Sequence, residues 1–385
     1  MTGEARDGWE ISTLGEICQI NPPRNEIASL PDDLDVSFVP MAAVSVTGRL
    51  LGSETRKAKE VKKGFPHFKE RDVLVAKITP CFENGKRWLA ESLVNGVGFG
   101  STEFHVLRAT SRVLPEWIYY AVSLPGFRKD GQRRMTGTAG QKRVPTSFLE
   151  EYKIPVPPIP LQQKMASILQ KAERLKEIRE QANRFTSRLI ESVFLKMFGN
   201  PNGGRMNFGK APLADLVENL DSRRVPLNEE ERSKRKGDIP YYGASGLVDW
   251  IDGFLFDEPL LLVAEDGENL RSRKLPIAYS VLGKSWVNNH AHVLRCFRIN
   301  QRFLEFWFNL FDISPYLGGS TRPKLNKAKL MAIKVPLPPE SLQEKFAGVV
   351  KKIDATRHHQ AQSTHKINEV LNSLMDKAFR GELLT

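Results

Sequence analysis

The feature that most constrains this chain is a segment that occurs twice. The first copy covers residues 154–201 and the second covers residues 335–383. Each copy begins with a proline-rich elbow of the form P-x-P-P, continues with L-Q-x-K and then runs on without proline until it reaches a glycine step, at Gly199 or Gly381. Two long helices, one central and one terminal, are therefore expected to divide the chain into globe, helix, globe and helix.

The helix prediction rests on the spacing of apolar residues, which recur in steps of three and four in the first copy and keep to one face. Residues 161–198 would form a helix about 57 Å long at about 1.5 Å per residue, and such a helix needs a partner for its apolar face. We expect the two copies to pack on each other as an antiparallel coiled coil; two ordinary helices inside unrelated domains are the alternative. The middle of the second copy is polar and is the weaker part of this seam. The predicted seam residues are Leu161, Met165, Ile168, Leu175, Phe185, Leu189, Leu342, Phe346, Val349, Ile353, Ile367 and Leu374.

Length and composition allow two or three domains with cores of their own, because the chain has 385 residues of which 41% are hydrophobic and 26% charged. Its first twelve residues carry Glu4, Arg6 and Asp7 without an apolar run, so we expect no signal peptide there. The longest apolar run, Leu260–Ala264, is too short to cross a bilayer. Three scattered cysteines fit reduced thiols better than disulfides or zinc. These features predict a cytoplasmic protein with no membrane partner.

Basic residues are concentrated in a few runs of a chain whose net charge is +12. Residues 56–71 hold seven basic and two acidic residues, residues 128–143 six and one, and residues 322–334 five and none. The runs lie beside Gly, Thr, Ser and Gln, in stretches typical of loops. A solvated face explains any single run, whereas several runs at matched places in a duplicated chain favour contact with the phosphates of a nucleic acid.

The two globes share one plan. In residues 1–153, short β-like segments at 36–39, 72–78 and 104–107 precede a helix at 115–124. In residues 202–334, AHVLR at 291–295 answers FHVLR at 104–108. A duplication with diverged loops explains this pattern and predicts a pseudo-two-fold relation. The expected domains are residues 1–153, 154–201, 202–334 and 335–385.

At this level of detail the chain resembles the specificity (S) subunits of type I restriction-modification systems. The resemblance rests on both elbow-and-helix copies, on KITPCFENGK at residues 77–86, GSTEFHVLR at 100–108 and GTAGQKRVP at 137–145, and on the endings MFGNP and AFRGEL. It covers nearly the whole chain. It implies an α+β fold in which two globular α/β target recognition domains are separated by two long antiparallel helices, the conserved spacers, with a pseudo-two-fold internal repeat.

The resemblance also implies a function. Each globe would read one half of a bipartite site in double-stranded DNA, and the helices would set the separation of the half-sites and dock two modification (methyltransferase) subunits. Restriction subunits would join through that complex. S-adenosylmethionine is expected on the methyltransferase partner, and this chain would bind no cofactor and perform no catalysis. By geometry, two basic globes on a rigid rod suit half-sites about 34 to 36 Å apart.

Candidate DNA contacts are the polar and basic residues of the loops, because Lys, Arg, Asn and Gln can read base edges in the major groove. The second globe lacks TPCFENGK and has GGSTRPKLN in place of GTAGQKRVP, so its half-site should differ. The predicted contacts are Lys77, Thr79, Asn84, Lys86, Arg87, Thr138, Gln141, Lys142 and Arg143 in the first globe and Arg271, Arg273, Lys274, Asn288, Asn289, His290, Arg322, Lys324, Asn326 and Lys327 in the second.

Two other classes of function stay open at this stage, a self-contained DNA-modifying enzyme and a coiled-coil adaptor without DNA contact. The NPPR stretch at residues 21–24 lacks the aromatic residue of adenine-methyltransferase motifs, so a turn is favoured there. His290 and His292 alternate on a predicted strand and are expected to be core or DNA-facing residues rather than metal ligands. Asp266 and Glu268 fit an acidic turn better than a nuclease centre. His358, His359 and His365 are expected to face solvent or a partner.

Overall fold

The computed structural model describes residues 8–138, 140–203, 206–319 and 321–384. The prediction about the first residues of the chain, and the Ala139 and Ser320 positions of the two basic loops, lie outside these ranges. The chain forms two compact units: unit 1 comprises residues Met1–Ile178 and Thr364–Thr385, and unit 2 comprises Arg179–Ser363. This division cuts both long helices, whereas the boundaries expected from the sequence keep each helix whole and stay a prediction.

Unit 1 is built from short strands and helices followed by the first half of a long helix. Its strands are β1 (Glu10–Thr13), β2 (Cys18–Ile20), β3 (Asp35–Val39), β4 (Glu54–Lys57), β5 (His67–Lys69), β6 (Val73–Ala76), β7 (Arg87–Leu89), β8 (Val97–Gly100), β9 (Phe104–Ala109) and β10 (Lys153–Val156). Its helices are α1 (Leu14–Ile17), α2 (Ala58–Val61), α3 (Pro115–Ala121), α4 (Pro125–Arg133), α5 (Thr146–Glu151) and the start of α6 (Ile159–Phe198). The predicted strands correspond to β3, β6 and β9 and the predicted helix to α3, so these four predictions are confirmed.

Unit 2 repeats this plan. Its strands are β11 (Lys210–Pro212), β12 (Val217–Asn219), β13 (Lys236–Gly243), β14 (Gly246–Ile251), β15 (Phe256–Asp257), β16 (Leu260–Ala264), β17 (Ala278–Val281), β18 (Lys284–Val287), β19 (Ala291–Cys296) and β20 (Lys334–Pro336). Its helices are α7 (Glu229–Ser233), α8 (Asn269–Ser272), α9 (Gln301–Leu310), α10 (Lys327–Met331) and the start of α11 (Glu340–Arg380).

The sheets of the two units have the same strand order. Unit 1 has sheets β2-β9-β6-β7 and β4-β3-β8-β5 and the pair β1-β10, and unit 2 has β12-β19-β16-β17, β14-β13-β18-β15 and β11-β20. One pair in each unit is parallel, β3 with β8 and β13 with β18, while the other pairs named here are antiparallel. The predicted internal repeat and α+β class are therefore confirmed at the level of topology.

In each unit one sheet packs against an aromatic helix that also contacts the long helices. Trp117 of α3 is fully buried, stacks on Phe379 of α11 with ring centroids 4.3 Å apart, and donates its indole N–H to the Pro155 carbonyl at 2.8 Å. In unit 2, Phe303 of α9 stacks on Phe194 of α6 at 5.6 Å, and Phe346 of α11 packs edge-on to Phe194. Burial of aromatic side chains of this size supplies a large share of the apolar area that stabilises each core.

The long helices run antiparallel within each unit. In unit 1 the start of α6, with Met165 and Leu169, shares a core with Ala378 near the end of α11. In unit 2 the end of α6, with Phe194, shares a core with Val350 near the start of α11. The antiparallel pairing expected from the sequence is confirmed.

The predicted seam is wrong over the middle of α6. Leu175, Phe185 and Leu189 are 59%, 71% and 49% exposed, although Met165, Phe346 and Ile353 are buried as expected. The remaining seam residues are half-buried: Leu161, Ile168, Leu342, Val349, Ile367 and Leu374. A straight α-helix drifts by about 20° per heptad against a strict seven-residue repeat, and the globular core at each end of α6 fixes which face is buried there.

Polar residues of the second copy find partners on α6 and on α9. Within unit 2, Gln360 of α11 donates its Nε2–H to the Thr186 hydroxyl of α6 at 3.0 Å, and Asp354 of α11 forms an ion pair with Arg302 of α9. The polar centre of the second copy therefore has partners inside unit 2. The three helix histidines, His358, His359 and His365, are exposed as predicted. Across the described residues, none of the helices is both long and apolar enough to be a membrane span.

Candidate nucleic-acid interface

Two loops that are distant in sequence meet at the same place in each unit. In unit 1, Ile78 and Thr136 both form a β-bridge with Arg143; in unit 2, Asp266 and Gly318 both form one with Lys324. We define loop pair 1 as residues 77–86 with 136–144, and loop pair 2 as residues 265–274 with 318–326. The carbonyl of Lys77 accepts the Val144 N–H at 2.9 Å, and Glu265 accepts the Leu325 N–H at 2.8 Å in the same way. The structure thus brings together most of the predicted contact segments of each globe.

In loop pair 1, some predicted contacts are exposed and others hold the loop. Thr79 donates its hydroxyl to Glu83 at 2.8 Å, Lys86 donates to the Met41 carbonyl at 3.0 Å, and Arg143 forms a two-pronged ion pair with Glu103 whose shortest contact is 2.8 Å. Lys77 is half-buried. The predicted contacts whose side chains are exposed are Asn84, Thr138, Gln141 and Lys142.

Arg87 occupies a different environment from the rest of its group. Its guanidinium lies 4.7 Å from the ring centroid of Tyr119 and donates to the Gly85 carbonyl at 3.2 Å. It lines a cavity of about 610 Å³ inside unit 1 together with Arg128 and Glu173. Burial lowers the pKa of Arg128, with the nearby Arg87 cation adding to the effect, and burial raises the pKa of Glu173.

In loop pair 2, ion pairs hold the two halves together. Lys324 forms an ion pair with Glu265 at 3.2 Å. The Asp266 carboxylate lies 2.7 Å from the Arg322 guanidinium and 3.0 Å from His290 Nδ1. Asn288 accepts the His290 N–H at 2.8 Å. Each of these loop side chains therefore already has a partner within the unit.

Other predicted contacts of unit 2 have structural partners or are exposed. Arg273 donates to the Phe308 and Phe311 carbonyls at the end of α9, at 3.2 and 2.7 Å, and burial lowers its pKa. Arg271 donates to the Gly319 carbonyl at 3.1 Å, and Asn326 caps α10 by accepting the Lys329 N–H at 3.0 Å. Lys274, Asn289 and Lys327 are exposed.

Behind each loop pair lies a buried histidine. His105 was not among the predicted site residues, and His292 was expected to be a core or DNA-facing residue. His105 contacts Asn21 and the Val144 carbonyl, and His292 contacts Asp221 and the Leu325 carbonyl. The expected turn at Asn21 is present, with φ of 52° and the Asn21 Oδ1 accepting the Val106 N–H at 3.0 Å. The shared HVLR of the two globes was the signal that could have found both histidines.

Asp266 and Glu268, the two residues weighed as a nuclease centre, have different environments. Asp266 faces His290 and Arg322, while Glu268 is exposed. Asp221, Glu265 and His292 place one potential ligand atom each within 4.8 Å of one another. Arg224 already supplies a cation there, because its guanidinium is 2.7 Å from Glu265 and 3.6 Å from Asp221.

The known proteins named below, which are similar to this chain, come from type I restriction systems. A family model described as the type I restriction modification DNA specificity domain matches residues 6–184 and 207–370. The specificity subunit of the Escherichia coli type I restriction enzyme EcoAI is 43% identical over 166 residues, which is 42% of this chain and 27% of that protein. The EcoEI specificity subunit of Escherichia coli is 37% identical over 234 residues, 58% of this chain and 38% of that protein. The matched part of the chain thus spans about a quarter to two fifths of these relatives.

Two solved structures share the fold over nearly the whole chain. The S subunit of a type I restriction-modification system from M. genitalium has a TM-score of 0.61 and 15% identity, covering 98% of this chain and 97% of that one. A chain from a study of assembly and conformational transition of a type I restriction-modification system has a TM-score of 0.59 and 17% identity, covering 99% and 100%. At these identities the likeness concerns the fold.

Proposed function

Because this chain belongs to the type I restriction modification DNA specificity family, we propose that it is a specificity subunit that recognises a bipartite sequence in double-stranded DNA without catalysing a reaction. One observation carries the proposal: two repeated units present the same loop pair, built on the same strands, with different exposed polar side chains. Such a pair of scaffolds suits two half-sites of different sequence.

In unit 1, Gln141 and Asn84 are the candidates for reading bases, because a side-chain amide can bond to an adenine edge through two hydrogen bonds. Lys142 beside them suits a phosphate. In unit 2, Asn289 is the candidate for reading a base, and the exposed Lys274 and Lys327 are candidates for contacting phosphates. The ion-paired Arg143 and Lys324 hold the loops in place.

Separate substitutions of Gln141 and Lys142 test these roles. Gln141→Ala should lower discrimination between the preferred base pair and its alternatives by about 1–3 kcal/mol at one position of one half-site. Lys142→Ala should weaken binding to all sequences and reduce the salt dependence by about one phosphate contact. The measurement is selection from random duplexes followed by binding isotherms at several salt concentrations.

Gln163→Ala and Lys164→Ala are matched controls, since both side chains are exposed near the start of α6 in the same unit and lie outside the basic runs. They should change neither discrimination nor salt slope. Unchanged sequence preference in Gln141→Ala would remove this loop from the recognition surface, and absence of any salt-dependent DNA binding by the full chain would favour an adaptor instead.

We further propose that two methyltransferase subunits dock on this chain in the cytoplasm and that restriction subunits join through them. In this arrangement S-adenosylmethionine binds to the methyltransferase partners, which methylate adenine, and this chain only recognises the DNA sequence. The purified chain incubated with labelled S-adenosylmethionine and DNA should give no methylated product. Addition of its modification subunits should restore product, and activity of the chain alone would show a self-contained enzyme.

A further inference from the structure

The histidines behind the two loop pairs make equivalent contacts to the backbone of the loops. His105 lies on β9 and its Nε2 is 2.9 Å from the Val144 carbonyl oxygen; His292 lies on β19 and its Nε2 is 2.7 Å from the Leu325 carbonyl oxygen. Val144 and Leu325 lie at the end of the second loop of each pair. A carbonyl oxygen only accepts hydrogen bonds, so Nε2 carries a proton in both rings.

The other ring nitrogen meets a different partner in each unit. His105 Nδ1 is 3.2 Å from the Asn21 side-chain amide nitrogen, whereas His292 Nδ1 is 2.6 Å from Asp221 Oδ2. Asn21 and Asp221 are structural equivalents, because each accepts the N–H that follows the histidine, Val106 at 3.0 Å and Val293 at 2.8 Å, on its remaining oxygen.

The difference between asparagine at position 21 and aspartate at position 221 sets the protonation of the two histidine rings. The Asn21 amide donates to Nδ1, so His105 is neutral with its single proton on Nε2. A carboxylate only accepts, so the 2.6 Å contact to Asp221 requires a second proton on His292, which makes it an imidazolium. Burial raises the pKa of Asp221, but hydrogen bonds from His292, Asn219 and the Val293 N–H outweigh it and leave the pKa below its ordinary value. Burial lowers the pKa of His105.

The charges around each ring fit these states. His292 is 1% exposed and faces Asp221 and, at 3.8 Å, Glu265. Arg224 bonds to Glu265 and lies near Asp221, and Lys324 closes the group through Glu265. Nearby, His290 and Arg322 both contact Asp266. Around His105 the charged groups are Lys77 and Glu103, and Glu103 is paired with Arg143.

We propose that His105 and His292 are equivalent positioning residues that tether the loops of loop pairs 1 and 2, and that the Asn-to-Asp exchange makes the second tether a charged one. Loop pair 2 is therefore held through the charged contact of His292 with Asp221 as well as through the Leu325 carbonyl, whereas loop pair 1 is held by neutral hydrogen bonds. The link to DNA reading rests on the function proposed above; the tether itself does not.

Nitrogen-15 NMR of the full chain labelled only in histidine tests the charge states without DNA. At pH 7.5 the His292 ring should show two protonated nitrogens and the His105 ring one, on Nε2, with the signals assigned by their loss in His292→Gln and His105→Gln. Asp221→Asn should convert His292 to the neutral form, and Asn21→Asp should convert His105 to the charged form. A neutral His292 in the unaltered chain at this pH would overturn the proposal.

Amide hydrogen exchange tests the tether itself. His292→Phe keeps a ring of similar shape but removes both hydrogen bonds, and should speed exchange of the Lys324 and Leu325 amides by about tenfold while leaving the amides of loop pair 1 unchanged. His105→Phe should act on Arg143 and Val144 alone. Equal exchange in unaltered and substituted chains would show that the histidines do not hold the loops.

Binding to the preferred duplex then connects the tether to recognition. His292→Phe should lower affinity for the preferred duplex by about tenfold and relax sequence preference only at the half-site read by unit 2, and His105→Phe should do the same at the other half-site. Unchanged affinity and preference in both variants would overturn the positioning role. Absence of sequence preference in the unaltered chain would refute the proposed function while leaving the NMR and exchange results to decide the tether.

Discussion

Replacing Gln162 with leucine should destabilise unit 1 by about 3 kcal/mol, because this fully buried side chain joins three backbone groups. Its Nε2 donates to the Pro157 carbonyl at 2.7 Å and to the Arg112 carbonyl at 3.2 Å, and its Oε1 accepts the Leu114 N–H at 2.8 Å. Leu114 precedes the first residue of α3. The glutamine of L-Q-x-K thus fastens the start of α6 to the proline elbow and to the start of α3.

The magnitude follows from what the substitution leaves behind. Each buried polar group left without a partner costs about 1–3 kcal/mol of folding free energy, and the burial of an apolar leucine side chain in place of an amide offsets part of this cost. The repeat supplies a weaker counterpart, because Gln343 makes two such bonds, to the Pro338 carbonyl at 2.7 Å and from the Asn300 N–H at 2.8 Å. Gln343→Leu should therefore destabilise unit 2 by about 2 kcal/mol.

Hydrogen exchange read by mass spectrometry separates the two units. Gln162→Leu should speed exchange in α3 by about a hundredfold while leaving α9 unchanged, and Gln343→Leu should show the reverse pattern with a smaller factor. Gln163→Leu, an exposed neighbour on α6, is the control and should stay within about 0.5 kcal/mol of the unaltered chain. If Gln162→Leu behaves like that control, the glutamine is not a structural connector.

Two further predictions concern pH and spacing. His67 and His105 are buried, and burial lowers the pKa of both side chains. Below about pH 6.5 these histidines take up protons in the unfolded chain but not in the folded one. Unit 1 should therefore keep its full stability above that pH and lose up to about 1.4 kcal/mol per pH unit for each of the two groups as the pH falls. His67 Nε2 has no hydrogen-bond partner, so His67→Phe should reduce this acid sensitivity in urea unfolding at pH 7.5 and 5.5, and an unchanged slope would refute its role. Inserting four residues into α6 adds about 6 Å of helix, and in a host with the complete system the methylated adenines should report a longer spacer between unchanged half-sites; an unchanged spacer would contradict the idea that helix length sets it.

Much of the fold could be predicted because it is repeated in the sequence. Periodic apolar residues and proline elbows located α6 and α11, and β-rich segments located β3, β6 and β9. The seam was mistaken at Phe185 and Leu189 because spacing defines a stripe without saying which part of it each core buries. The aromatic cores around Phe194 and Trp117 decide that, and their partners are far away in sequence.

The interface was predictable as loops and not as individual contacts. Basic residues at loop positions looked alike in sequence, yet Arg143 is fixed by Glu103 and Arg273 by two carbonyls at the end of α9, whereas Gln141 and Lys142 are exposed. Long-range partners of this kind leave no local signal. Exposed polar residues and internal ion pairs could be told apart only once the strands had been placed.

The discontinuity of unit 1 has a consequence for synthesis of the chain. Unit 2 is one continuous segment, but unit 1 needs residues from Thr364 onward, including Phe379, which stacks on Trp117. At about 5–20 residues per second, the ribosome spends roughly 10 to 40 s on the intervening segment. During that interval Trp117 lacks its stacking partner, and the core beside Met165 and Leu169 is open. The unit encoded first is therefore expected to be the last to finish folding.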